Sequence, residues 1–130
     1  MKEIIEKLKN ILAELIKENG DIVFFALFLR EDSPNKWDLI ISADWLNSGN
    51  VESYRVVATK IQNILSEKEL TQISRIVIID ESDPMISFLQ SSFNVTGLSC
   101  LDLNNCEISS KNIKFPIKHA YILRCIKNKS

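Results

Sequence analysis

The chain predicts an α/β (α+β) fold: a mixed sheet of about four to six strands around a central N-terminal β-hairpin, covered by amphipathic helices. Three observations lead there. Residues 22–29, IVFFALFL, form an unbroken apolar run that meets the polar turn REDSPNK and returns as WDLIISADW. Apolar residues recur at three- and four-residue spacing before and after this hairpin, the period of helices with one buried face. A β-branched run, RIVIID at 75–80, follows the second helical stretch, so a helix carries the chain between two strands.

In chain order, Ile4, Ile5, Leu8, Ile11, Leu12, Leu15 and Ile16 trace one apolar stripe with Lys and Glu between them. Asn19-Gly20 ends that helix, because both residues accept the left-handed conformation that closes one. The first strand then begins at Asp21 or Ile22. Apolar on both faces, it belongs in the middle of the sheet with cover on each side. Pairing Leu29 with Trp37 places Val23, Phe25, Leu27 and Leu29 on one apolar face with Trp37, Leu39, Ile41 and Ala43. Phe24, Ala26, Phe28 and Arg30 fall on the other with Lys36, Asp38, Ile40 and Ser42. A slip of one residue would mix the two sets.

Asn50 is placed to cap a helix carrying Tyr54, Val57, Ala58, Ile61, Ile64 and Leu65 inward. Ser66 and Glu69 match a capping box, so the helix breaks at Leu65 and restarts. The strand at 75–80 pairs parallel with the second hairpin strand. Asp83-Pro84 opens a helix whose inner side is Met85, Ile86, Leu89 and Phe93. From Asn94 to Phe115 the pattern gives short strands at 95–98 and 101–103, with turns at Asn104-Asn105 and at Ser109 to Lys111. Residues 117–126 form the closing strand.

A length of 130 residues suits one domain, 1–130, able to bury roughly two thirds of its unfolded surface. Sixteen basic and 17 acidic residues leave a net charge of −1, against a protein that holds nucleic acid by bulk electrostatics. Cys100, Cys106 and Cys125 fit neither a disulfide framework nor a CxxC metal knuckle, which points to a reducing, cytoplasmic setting. The N-terminal stretch has no uninterrupted signal-peptide core, and no apolar run approaches the roughly 20 residues of a membrane span.

For chemistry the candidates are few. Arg30 and Asp38 are diagonal neighbours near the hairpin turn, within ion-pair reach. His119 is the single histidine, and by alternation it shares a face with Tyr121, Leu123 and Cys125, opposite Lys118, Ala120, Ile122 and Arg124. His119 and Cys125 lie about 20 Å apart along an extended strand, too far for a thiolate–imidazole pair. Asp80, Glu81 and Asp83 cluster as a magnesium site would require, and as acidic turns do anyway. Trp37 and Trp45 bracket the second strand with core parity; an exposed Trp45 would mark a partner surface. GxGxxG, Walker, HExxH and GxSxG motifs are all missing, and three glycines leave little for a phosphate cradle. No metal and no cofactor is expected.

The order helix, hairpin, helix, strand, with LFLREDSPNKWDLII as a turn followed by an acidic strand, is similar to the minimal nucleotidyltransferase fold. That resemblance implies magnesium and nucleotide held by a Gly-Ser turn and two aspartates. Here Leu29 and Arg30 stand in place of Gly-Ser, and Asp38 alone remains of the acidic pair, which speaks against catalysis. The segments FLREDSPNKWDLIISADWL, SRIVIIDESDP and PIKHAYILR resemble a family of small bacterial proteins with no assigned activity. This resemblance spans most of the chain, implies a free-standing bacterial domain and brings no mechanism with it.

The expectation is therefore a non-catalytic cytoplasmic interaction module that binds a protein partner or itself through a sheet edge or helix face, with no membrane or nucleic-acid role. The alternative is a small-ligand or nucleotide site, or a degenerate nucleotidyltransferase-like one, near Arg30, Asp38 and His119. Its ligand-binding candidates are Arg30, Asp38, Trp45, Lys118, His119 and Tyr121.

Overall fold

The elements run α1 (Lys2–Asn19), β1 (Phe24–Leu29), β2 (Trp37–Ser42), α2 (Val51–Ile64), α3 (Glu67–Leu70), β3 (Ile73–Ile78), α4 (Pro84–Ser92), β4 (Leu101–Ser110) and β5 (Ile113–Cys125). The structure, a computed structural model, describes residues 2–29, 35–96, 99–110 and 113–127, without the side chains of 106, 108–110 and 113–116. Of the expected turn at 31–35, residues 31–34 lie outside the described residues, as does its neighbour Arg30.

All five strands join one mixed sheet in the order β3-β2-β1-β5-β4, so β1 is the middle strand its two apolar faces called for. Leu29 pairs with Trp37 in the antiparallel hairpin, the register that keeps the two side-chain sets apart. β3 lies parallel to β2. On one side of the sheet, Phe25, Leu27, Trp37, Leu39 and Ile41 pack with the stripes of α1 and α2. On the other, Phe24 and Ala26 pack with Ile86 and Leu89 of α4. Each large apolar side chain buried in this way stabilises the fold by about 1.5–3 kcal/mol relative to leaving it in water.

The helix boundaries follow from local chemistry. α1 closes at Gly20, whose φ of +125° only glycine adopts without strain. The Asn50 side chain accepts from Glu52 N–H to start α2, and Asp83 accepts from Met85 N–H ahead of Pro84 in α4. The Ser66–Glu69 capping box forms as the spacing predicts. Glu69 also receives Lys7 Nζ at 2.6 Å, which ties α3 to α1.

Four expectations need correction. The first strand begins at Phe24, and Val23 belongs to the α4 side, because the chain bends there before the ladder starts. The β3 strand runs Ile73–Ile78 instead of 75–80. The third concerns 94–115: Val95 makes one isolated bridge to Cys125, and β4 passes straight through the expected turn at Asn104-Asn105. Asn105 sits at φ +51°, a conformation asparagine tolerates, so pairing with β5 overrides local turn preference. β5 correspondingly starts at Ile113, before the expected Ile117, and Pro116 pairs with Glu107 where β1 no longer flanks the strand.

The fourth correction is a β-bulge. Phe25 pairs with Arg124 but Ala26 pairs with Ile122, so β5 has an extra residue at Leu123. The bulge reverses side-chain parity beyond it. Cys125 consequently leaves the His119 face and packs among Phe24, Leu89 and Val95, its Sγ donating to Leu89 O at 3.4 Å. Burial pushes its thiol up to about 11.

Candidate functional site

The predicted site residues separate. Asp38 pairs with Phe28 across the hairpin, on the α4 side, whereas His119 follows the parity of Tyr121, which pairs with Leu27 on the α1 side. The sheet stands between Asp38 and His119, so they do not converge in one pocket. Asp38 forms an ion pair with Arg75 Nε at 3.2 Å. Lys118 is exposed on the side away from His119. Trp45 lies at the other end of β2, where its Nε1–H donates to both Gly20 O and Asp21 O at 3.0 Å. That half-buried indole holds the α1–β1 junction. Arg124 performs a related task, donating through Nε to Ile22 O at 2.6 Å and pairing with Asp21.

His119 and Tyr121 do come together, with Trp37, Cys100 and one residue that was not singled out for chemistry, Asp102. Asp102 opposes Tyr121 in the β4–β5 ladder, and its Oδ1 lies 2.8 Å from His119 Nε2 on the diagonal. The His119 ring stands 4.7 Å from that of Tyr121 and 5.3 Å from that of Trp37. The carboxylate orients the imidazole, and the indole and phenol wall it on the sheet side. Cys100, half-buried beside this group, has its thiol pushed up by burial, and Tyr121 is raised for the same reason. Neither is a ready nucleophile at neutral pH. Period-two counting on 101–103 together with 117–121 would have placed Asp102 near His119 once their pairing was known; the sequence carried no signal for the pairing itself.

The acidic cluster at 80–83 is structurally occupied. Asp80 accepts from Ser48 N–H at 3.1 Å and from its hydroxyl at 2.8 Å, bonds that hold its carboxyl below the usual range, and Asp83 caps α4. Among the described residues no group of three His, Cys, Asp or Glu side chains is arranged to hold a metal ion.

A different place has the form of a contact surface. β3 is an outer strand whose one neighbour among the described residues is β2. Ile79 N–H donates to Ile41 O, and main-chain groups alternate sides along a strand, so those of Ile76 and Ile78 face away from β2. Along this edge runs a groove of about 290 Å³ lined by Ala58, Ile61 and Gln62 of α2, Leu70 of α3, and Ile73 to Ile76 of β3. Its floor is aliphatic. Arg75, with 61% of its side chain exposed, is the single charged residue of β3.

Comparison of the chain with protein-family models, curated proteins and solved structures finds no match. No helix among the described residues is long and apolar enough to cross a membrane.

Proposed function

We propose that the chain is a non-catalytic interaction module, cytoplasmic and bacterial, that engages a protein partner through the β3 edge. The observation that carries this reading is the juxtaposition of outward main-chain groups at Ile76 and Ile78 with an aliphatic groove under α2 and α3. Main-chain bonds at a sheet edge supply affinity, and an adjoining groove supplies selectivity for alternate side chains. A photocrosslinking residue at position 75 or at position 107, in cells that naturally make the chain, compares the two outer strands. Discrete adducts from 75 and none from 107 support the reading, and the reverse pattern or silence from both rejects it.

A second reading, a small-ligand site, is favoured by one observation, the Asp102–His119 pair beside the Trp37 and Tyr121 rings. A planar ligand stacked on the half-buried Tyr121 ring, with the buried Trp37 indole behind it, would meet the imidazole edge. Titrating nucleotides and aromatic acids while following His119 ring proton shifts tests it; unchanged shifts at millimolar ligand reject it.

A further inference from the structure

Resting on the β3 edge as the contact surface, we infer that its occupant is an extended segment of another protein with alternating apolar and acidic side chains, which adds as a sixth strand. Side chains of an added strand alternate between the faces of the sheet. Those on the α2 side enter the groove, where Ile61, Leu70, Ile73 and Ile76 provide aliphatic walls and the small side chain of Ala58 leaves room above them. Those on the opposite side pass Arg75 and Val77. Asp38 engages Arg75 through Nε, along one flank of the guanidinium, while most of the side chain is exposed. A guanidinium carries five donors in a planar fork, suited to receive a carboxylate from the incoming strand.

Charge argues against a second copy of this chain as the occupant. β3 reads ISRIVI, so two β3 edges laid together would bring two arginines into one short ribbon, and neither β3 carries a carboxylate of its own to add to the Asp38 beside each. The opposite outer strand, β4, carries Asp102 and Glu107 but also Asn105 in the left-handed conformation, which interrupts regular pairing there.

The test uses the whole chain and a fluorescein-labelled heptapeptide of alternating valine and glutamate, with the valine–lysine heptapeptide as control. Anisotropy reads affinity, and amide ¹H–¹⁵N spectra read location. The expected result is saturable binding of the glutamate peptide, with shifts confined to 58–62 and 73–78, and binding at least about tenfold weaker for the lysine peptide. Arg75→Glu, at an exposed position, reverses that preference. Ala58→Phe fills the groove and weakens both peptides, with the amide spectrum showing whether the fold is kept. Equal binding of the two peptides, or shifts at 101–107 or around His119, overturns the inference. So does failure of the glutamate peptide to bind at millimolar concentration. In that last case light scattering over a concentration series separates the outcomes. If a dimer forms with the 73–78 amides protected from exchange, the edge is the contact surface and its occupant is a second copy. If those amides stay unprotected in cell extract as well, the edge reading falls too.

Discussion

The two outer strands of this sheet face the same hazard and meet it differently. β4 runs ten residues, with Asp102, Asn104, Asn105 and Glu107 along its first part, and the left-handed Asn105 breaks the regular row of donors and acceptors. β3 is six residues long, with one charge, and lies beneath α2 and α3 beside a groove. Polar side chains and local irregularity are the usual means of keeping an edge from pairing. β3 has a register irregularity next to Trp37 and one arginine, and its remaining residues are Ile73, Ser74, Ile76, Val77 and Ile78. The difference teaches that an edge is open to partners according to what flanks it, and that the apolar strand here is the one supplied with a groove.

Core attachment separates the edges most. Ile78 is 4% exposed and packs with the α1–α2 cluster, whereas Leu103 is half-buried on the α4 side. Ile78→Ala is expected to cost about 2–4 kcal/mol in urea unfolding and Leu103→Ala about half that or less. Equal costs would remove the asymmetry. Next in size is backbone strain at Asn105: Asn105→Ala should destabilise by about 1 kcal/mol, with Asn105→Gly near neutral, if the left-handed residue is held as firmly as the ladder around it. A gain from Ser42→Ala of up to about 1 kcal/mol is expected on general grounds, because the Ser42 hydroxyl is fully buried with no hydrogen-bond partner among the described residues. That substitution lies between the edges and serves as the internal standard for both.

Acid should act on the capping box of α3, which precedes β3. The Lys7 ammonium and the Ser66 N–H hold the Glu69 carboxyl below its ordinary value. A depressed carboxyl contributes stability that is fully present above its unfolded pKa, about 4.3, and is lost as pH falls through the lower folded value. Glu69→Gln should therefore flatten the fall in melting temperature between pH 5 and pH 3. The smallest effect concerns thiols. With its pKa raised to about 11, Cys125 should stay unlabelled by maleimide at pH 8 in folded protein and react once guanidinium unfolds it, as mass mapping would show.

Much of the architecture was legible because it depends on local chemistry. The hairpin register followed from two side-chain sets that cannot be exchanged, and the caps at Asn50, Ser66 and Asp83 from donors that need an acceptor at fixed spacing. What escaped was non-local. Nothing in LDLNNCEISS marks a ten-residue strand until β5 lies beside it, and two consecutive asparagines read as a turn. The bulge at Leu123 shows why alternation fails at a distance: one extra residue turned both Arg124 and Cys125 to the faces opposite those assigned, while the residues before the bulge kept their assignment. The candidate site suffered most. Asp38 and His119 each have the chemistry expected of a site, yet side-chain parity on strands not adjacent in sequence set them on opposite faces.

Trp37 and Trp45 sit at opposite ends of β2, in surroundings of different kind. One indole meets an imidazole edge-on and a phenol at a tilt, and the other donates to the two carbonyls that follow α1. Single-tryptophan variants would thus make the protein its own optical reporter. Emission from Trp45 would register undocking of α1, and quenching of Trp37 by the neighbouring ring would register any occupant arriving at His119, each without a label.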